Sequence, residues 1–477
     1  MKNLSGAVLG AWVGAQCVGC RAPRDEAPLV APDAGPQTMG ARHGCQAQAV
    51  GAGRGYRGTL HGDTVRGAER WRASESPHRL PFGVEVMPGG RVTVEPCALV
   101  LVGEGRSVVV RNAAQLVVEG REGAGVRFDA EAASPGPGAW QGLAFWEGAS
   151  PESRLAGLTV ASAGAADPAA GAGASLRVGL RGGLAVEGLV VENGADAALA
   201  FEGGGHLATP GVRVTVRGGA RDAPLARIDD VNEVGAMPTF VSDRADPEVW
   251  LLGRQRVLSR SALWAPRGAR LRVRRGLRVM VQGPDAPLLR VGAGLVLRFE
   301  AEAELAVGWE LPGDLAIEGE PGLGEVQLVD APARGPEGSE GAADAGPRAA
   351  SWTGVFFGHF ANVARSRLRN VLIRGAGAPS AAALPGCLPT PPPPDLDAAM
   401  VTLAGFDGRR LFEGVRLEAG PARGLAIAQS GEISGDSGDV TAPLRGVDVG
   451  RAGVACAQSW PRVGGVCRAS LRCQTGF

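Results

Sequence analysis

The amino-acid sequence predicts an all-β solenoid in which short parallel strands stack as rungs around one apolar interior. Three observations lead there: strand-like segments that occur twice in the same order, period-2 apolar placement within each segment, and a scarcity of helical periodicity. Windows long enough for a helix are interrupted by Gly or Pro, of which the chain has 75 and 34. Each such residue costs a helix interior roughly 1–3 kcal/mol.

The duplication runs through three matches. Pro88-Gly89-Gly90-Arg91-Val92-Thr93-Val94, continuing to Cys97, Val100 and Val102, pairs with Pro266-Arg267-Gly268, Leu271, Val273, Gly276, Val279 and Val281, with one residue inserted. Leu116-Val117-Val118-Glu119-Gly120 with Val126 and Phe128 pairs with Leu315-Ala316-Ile317-Glu318-Gly319 with Val326 and Leu328. Trp140-Gln141-Gly142-Leu143 and Phe145 pair with Trp352-Thr353-Gly354-Val355 and Phe357, and Leu155, Leu158, Val160 and Gly164 continue into Leu368, Val371, Ile373 and Gly377.

Runs such as Arg91-Val92-Thr93-Val94-Glu95 are too short to bury much singly. Stacking successive turns gives each strand two neighbours and merges the apolar faces into one column. A column also accommodates 477 residues, well past the ~250–300 at which compact cores stop growing. An even-bladed propeller needs more copies of more equal length, and a sandwich is the other alternative.

The order Pro-x-Gly, V-x-V, L-x-V-E-G, V-x-F, Trp-x-Gly-Leu, L-x-x-L-x-V…Gly resembles the right-handed parallel β-helix repeat proteins of bacterial surfaces, within the wider pectate-lyase-like superfamily. The resemblance covers about residues 82–200 and 250–380, with a weaker stretch at 403–449 that contains Leu411-Phe412-Glu413-Gly414-Val415-Arg416-Leu417. It implies a right-handed parallel β-helix with extruded loops at 331–350 and 379–397, the latter carrying Pro391 to Pro394. It says much about fold and little about activity.

The N-terminus reads as an export signal: Lys2, then an apolar stretch from Leu4 to Gly19, ending in Cys17-Val18-Gly19-Cys20. Small residues before Cys20 resemble a bacterial lipoprotein cleavage site, with Cys20 as the lipidated first residue. Cys17 stands where leucine is usual, so ordinary signal cleavage and a functional C-x-x-C remain alternatives. The resulting organisation is a signal at 1–20, a disordered tether at 21–80, β-helix units at 81–250 and 251–380, a Pro-rich loop with further rungs at 381–455, and a Cys-containing cap at 456–477. Cys456, Cys467, Cys473 and Cys387 are the disulfide candidates; free buried thiols are the alternative, which suits Cys97 best, inside an apolar run, and Cys45 is the sixth cysteine of the mature chain.

Charge is balanced at 49 basic and 49 acidic residues, which gives no reason to expect nucleic acid. Lys2 is the only lysine, so lysine-dependent catalysis is excluded from the mature chain. Gly53-Arg54-Gly55-Tyr56-Arg57-Gly58 fits G-x-G-x-x-G, but so many glycines produce about two such matches by chance. The histidines His43, His61, His78, His206 and His359 are scattered without metal spacing. Weak catalytic candidates are Asp229, Asp230, Glu233, Asp243, Arg244 and Asp246, beside Arg227; a solvated loop between the two units explains the same residues. Trp140 and Trp352, each two residues before a glycine, read as corner plugs in preference to a sugar-binding face.

The expectation is an exported, non-catalytic cell-envelope scaffold, adhesive or glycan-contacting, held to the outer membrane, periplasm or cell surface by a lipid. No cofactor or metal is expected. The alternative is a polysaccharide lyase or glycoside hydrolase on a β-helix, with calcium as its only implied cofactor.

Overall fold

The computed structural model describes Cys45 and residues 58–166, 172–332, 352–358, 360–362, 364–378, 399–404, 410–418, 423–428, 447–448, 454–456, 462–463 and 466–467. These residues form a parallel β-helix. Each turn contributes strands of two to eight residues to separate faces, and every face is a parallel sheet built from successive turns. A small antiparallel pair, Arg462–Val463 with Val466–Cys467, is the exception among the named strands. Among the described residues, no helix is long and apolar enough to cross a membrane.

One face runs through the whole column. Its strands include Val84–Val86, Ser107–Val110, Gly142–Phe145, Ala174–Val178, Ala197–Phe201, Ala226–Asp230, Glu248–Gln255, Arg270–Val273 and Val296–Phe299, each paired in parallel with the next. A second face ends at Thr239–Ser242, and another starts at Val257–Leu258. That exchange of faces separates the two units expected to meet near residue 250.

Alternation explains the interior. Val108, Val110, Leu143, Phe145, Leu176, Val178, Leu199 and Phe201 project inward and join a single buried core. Rungs stand about 4.8 Å apart, so like positions stack directly. In both units two faces fuse into one long strand, Arg154–Ala161 and Arg367–Arg374, whose halves pair with different strands of the preceding turns.

These fused strands give the true register of the duplication. The second and third sequence matches hold: Gln115–Glu119 corresponds to Asp314–Glu318, and Gly142–Phe145 to Gly354–Phe357. The first match is two strands out of step. Counting back from the fused strands, Arg91–Val94 corresponds to Leu288–Val291, and Ala68–Trp71 to Ala262–Trp264. Trp71 and Trp264 are thus a second repeated, buried tryptophan pair. Apolar rungs of equal spacing are interchangeable by pattern, and a V-x-V run does not say which face it occupies.

Two further expectations need correction. Strands begin at Thr59–Leu60, inside the stretch assigned to a tether, because strands of two to four residues leave no visible period. Cys97 is not a free thiol: it forms a disulfide with Cys45, 52 residues earlier. Of the cysteines favoured for disulfides, Cys387 and Cys473 lie outside the described residues; Cys456 and Cys467 fall on strands whose side chains are not described. The loops at 333–350 and 379–398 lie outside the described residues as well.

Candidate functional site

The outward side of the continuous face carries the densest chemistry. Register alignment stacks Ala144, Arg177, Ala200, Arg227, Trp250, Arg272 and Arg298 on consecutive rungs. Alanine between Arg177 and Arg227 keeps those guanidiniums two rungs apart, about 10 Å. Arg272 and Arg298 are adjacent, and like charges at one rung's distance need acids between them. Glu248 supplies one, 3.0 Å from Arg272 and 2.6 Å from Arg298, and Glu300 lies 3.2 Å from Arg272.

These arginines are nearly covered, with Arg272 only 3% exposed. Chain leaving or entering the column crosses them. Arg177 donates to the Ala172 carbonyl and Arg227 to the Gly173 carbonyl, while Arg177 also meets Glu202 at 2.5 Å. Arg227 pairs with Asp196. Glu248 sits below the ordinary carboxylate range: burial pushes it up, but the Arg298 hydrogen bond and the Arg272 charge outweigh that.

At the N-terminal end of this column of side chains, a groove of about 300 Å³ opens, with Ser107, Arg111, Gln141, Ala144, Trp146 and Arg177 among its walls. The Arg177 guanidinium lies 5.7 Å from the Trp146 ring centroid. Arg111 is half-exposed and held by Glu85 at 2.8 Å. An aromatic face, an amide and two guanidiniums on a rigid sheet can hold a hydroxyl- or carboxylate-bearing ring.

The sequence candidates do not converge. Asp229 belongs to the outward face, 3.3 Å from Arg254. Its carboxyl is pushed up by burial, opposed by Arg254 and reinforced by Glu202. Asp230 caps the short 3-10 helix Val231–Ala236 by accepting from the Asn232 amide at 2.9 Å. Glu233, in that helix, pairs with Arg260 at 2.9 Å and lies 3.4 Å from His206. Asp243 accepts from the Gly218 amide, and Arg244 donates to the Ala223 carbonyl. Asp246 joins Arg270 and Arg298. Among the described residues, no group of three His, Cys, Asp or Glu side chains is arranged to hold a metal.

No family model, curated protein or solved structure matches the chain.

Trp140 and Trp352 are corner plugs, as expected. Both are fully buried, and each indole N–H donates to the last carbonyl of a fused strand: Ala161 at 2.7 Å and Arg374 at 3.0 Å. Gly142, at φ 112°, passes so close to the next rung that a Cβ would stand 2.5 Å from the Ala174 and Ser175 carbonyl oxygens. Ser153 and Ser366, also buried, each accept from a backbone amide of the preceding turn, Leu116 and Leu315, at 3.3 Å.

Two features escaped the sequence reading. The arginine column was present as apolar-Arg-apolar triplets: Leu176-Arg177-Val178, Ala226-Arg227-Ile228, Leu271-Arg272-Val273 and Leu297-Arg298-Phe299. The second is a histidine pair. His61 and His78 stand on consecutive turns with ring nitrogens 3.0 Å apart, and their 17-residue separation is close to the length of one turn. His359 and Cys20 lie outside the described residues.

Proposed function

We propose that the chain is an exported, envelope-anchored β-helix scaffold of the pectate-lyase-like kind, without a catalytic task of its own, that presents its continuous outer face to an envelope glycan. The observation that carries the reading is the groove in which Trp146 stands beside Arg177 and near Arg111 on consecutive rungs. Two others support it. The column is a hydrogen-bonded stack suited to transmitting load, and the Cys45–Cys97 disulfide fits an oxidising compartment. Scattering of the acidic candidates over separate ion pairs and caps weighs against a catalytic centre.

One observation favours the lyase or hydrolase reading: Asp229 is buried, raised, and close enough to feel Glu202, Arg177 and Arg227. A carboxyl whose proton affinity is raised by burial, beside another carboxylate, is the kind of group that general acid work uses. Both readings are tested by titrating the purified chain with acidic and neutral oligosaccharides, with and without a calcium chelator. The expected result is binding without cleavage, weakened about tenfold in Trp146→Ala. Calcium-dependent cleavage that disappears in Asp229→Asn would replace the scaffold reading by the enzymatic one.

The anchor has its own test. Mass spectrometry of the chain recovered from its native envelope is expected to find a lipid-modified Cys20 as the first residue. An unmodified terminus at another position would retire the lipoprotein assignment.

A further inference from the structure

The first described turn of the column carries a pair of histidines against its interior, His78 and His61. His78 is fully buried and faces inward, with the Trp71 ring stacked 5.7 Å away and His61 above it at 5.2 Å. His78 Nε2 lies 2.8 Å from the Arg72 carbonyl. A carbonyl only accepts, so that nitrogen carries the proton, and Nδ1 of the neutral ring is an acceptor. His61 Nε2, 3.0 Å away, must then donate to it. This leaves the His61 Nδ1 lone pair facing Glu69 Oε2 at 3.4 Å, an oxygen that already accepts from Trp71 Nε1 at 2.9 Å.

We propose that the His61–His78 pair is an acid-sensitive latch on the first turn: the pair holds this turn closed with zero or one added proton, and a second proton releases it. One proton is accommodated, because an N–H at His61 Nδ1 then donates to Glu69 while every other bond persists. A second sets N–H against N–H and cation against cation across 3.0 Å. The charged groups facing the pair are Glu69 from the strand Ala68–Trp71, Glu75 and Arg72 at the short 3-10 helix, and Glu95 after Arg91–Val94. Arg72 is itself paired with Glu75 at 3.3 Å. Burial pushes His61 down and His78 repels its proton in the same direction, against Glu69; burial pushes His78 down as well. The folded rings therefore bind protons less readily than rings in an opened turn. Their contribution to closure is complete above the ordinary histidine value of about 6.5, and is lost as pH falls through the lower folded values.

Hydrogen exchange on the full chain reads the latch directly. Two amides close this turn, Thr59 to the Pro77 carbonyl and His61 to the Arg79 carbonyl, each at 3.0 Å. Between pH ~7.5 and ~4.5, protection of 58–71, corrected for intrinsic rates, is expected to fall about tenfold or more while that of 115–119 holds. In Glu69→Gln the carboxamide donates to the bare His61 nitrogen, so the midpoint should move to lower pH. In His61→Gln the step should vanish. Protection that is flat in the parent chain, an unmoved Glu69→Gln midpoint, or a wild-type midpoint retained by His61→Gln would each overturn the proposal. Should His61→Gln fail to fold, ring-nitrogen NMR of the parent decides. Two linked steps below the ordinary histidine value are expected, and two independent ordinary titrations would refute the latch.

Discussion

Trp140→Ala and Trp352→Ala are each expected to lose about 3–5 kcal/mol of folding stability, among the largest effects of any single truncation in this chain. Both rings are fully buried, so truncation opens a cavity in a close-packed rung; beside Trp140 the Gly142 backbone already stands against the next turn, which leaves little room for collapse. It also removes the indole hydrogen bond to the Ala161 carbonyl, which is buried, or to the Arg374 carbonyl, which is partly buried; losing the partner of a buried acceptor costs about 1–3 kcal/mol. Trp352 further loses its stack on Phe299, 4.1 Å between centroids, which places its penalty toward the upper end. Urea melts followed by circular dichroism check the total. Because a stack of rungs can open piecemeal, hydrogen exchange at 154–161 and 367–374 checks that the loss is local. Trp→Phe should recover most of the volume and leave a deficit near ~1 kcal/mol for the missing N–H. Losses under ~1 kcal/mol for the alanine variants would mean that these rings do not fill the corners.

How much of this was legible beforehand follows from what side-chain alternation encodes. The inward positions repeat as Val, Leu and Phe with period two, so strand existence, the stacked architecture and the Trp–Gly corners could be read directly. Register could not. Arg91–Val94 and Arg270–Val273 present the same apolar alternation, Val92 and Val94 against Leu271 and Val273, and only the fused strands Arg154–Ala161 and Arg367–Arg374 reveal that they occupy different positions in their turns. Sites were harder still, because a solenoid brings together residues one turn apart. His61 and His78 looked unrelated as a list of histidines and became neighbours once the turn length was known. The Cys45–Cys97 bond was hidden for the same reason: its partners lie 52 residues apart, with no motif between them. Conversely, the Asp229, Asp230 and Glu233 cluster looked close in sequence, yet a strand end and a helix cap send these side chains to different partners.

Arg272→Ala carries the second large expected effect, about 3–5 kcal/mol, because it removes the buried cation shared by Glu248 and Glu300, and Glu300 keeps only the Arg274 cation, at 3.2 Å. Arg298 still bonds Glu248 at 2.6 Å and cannot reproduce the second contact. The pH dependence separates charge from packing. Glu248 is held below its ordinary value, so the network's contribution is complete above about pH 4.5 and fades as pH falls through the lowered folded value. In Arg272→Ala the carboxylate loses part of that hold and takes up a proton at higher pH, which removes the buried charge and its penalty. The gap between parent and variant should therefore be widest near neutrality and narrow in acid, measured as urea midpoints across the acid range. Arg272→Met keeps the aliphatic stem against the Trp250 strand and should recover only the packing share. A gap that stayed constant with pH, and that methionine closed, would assign the cost to lost packing and strip the arginine column of its electrostatic role. That result would also weaken the groove beside Arg177 as an anion-recognising surface, since both rest on the same outward register of guanidiniums held rigid by the rungs beneath them.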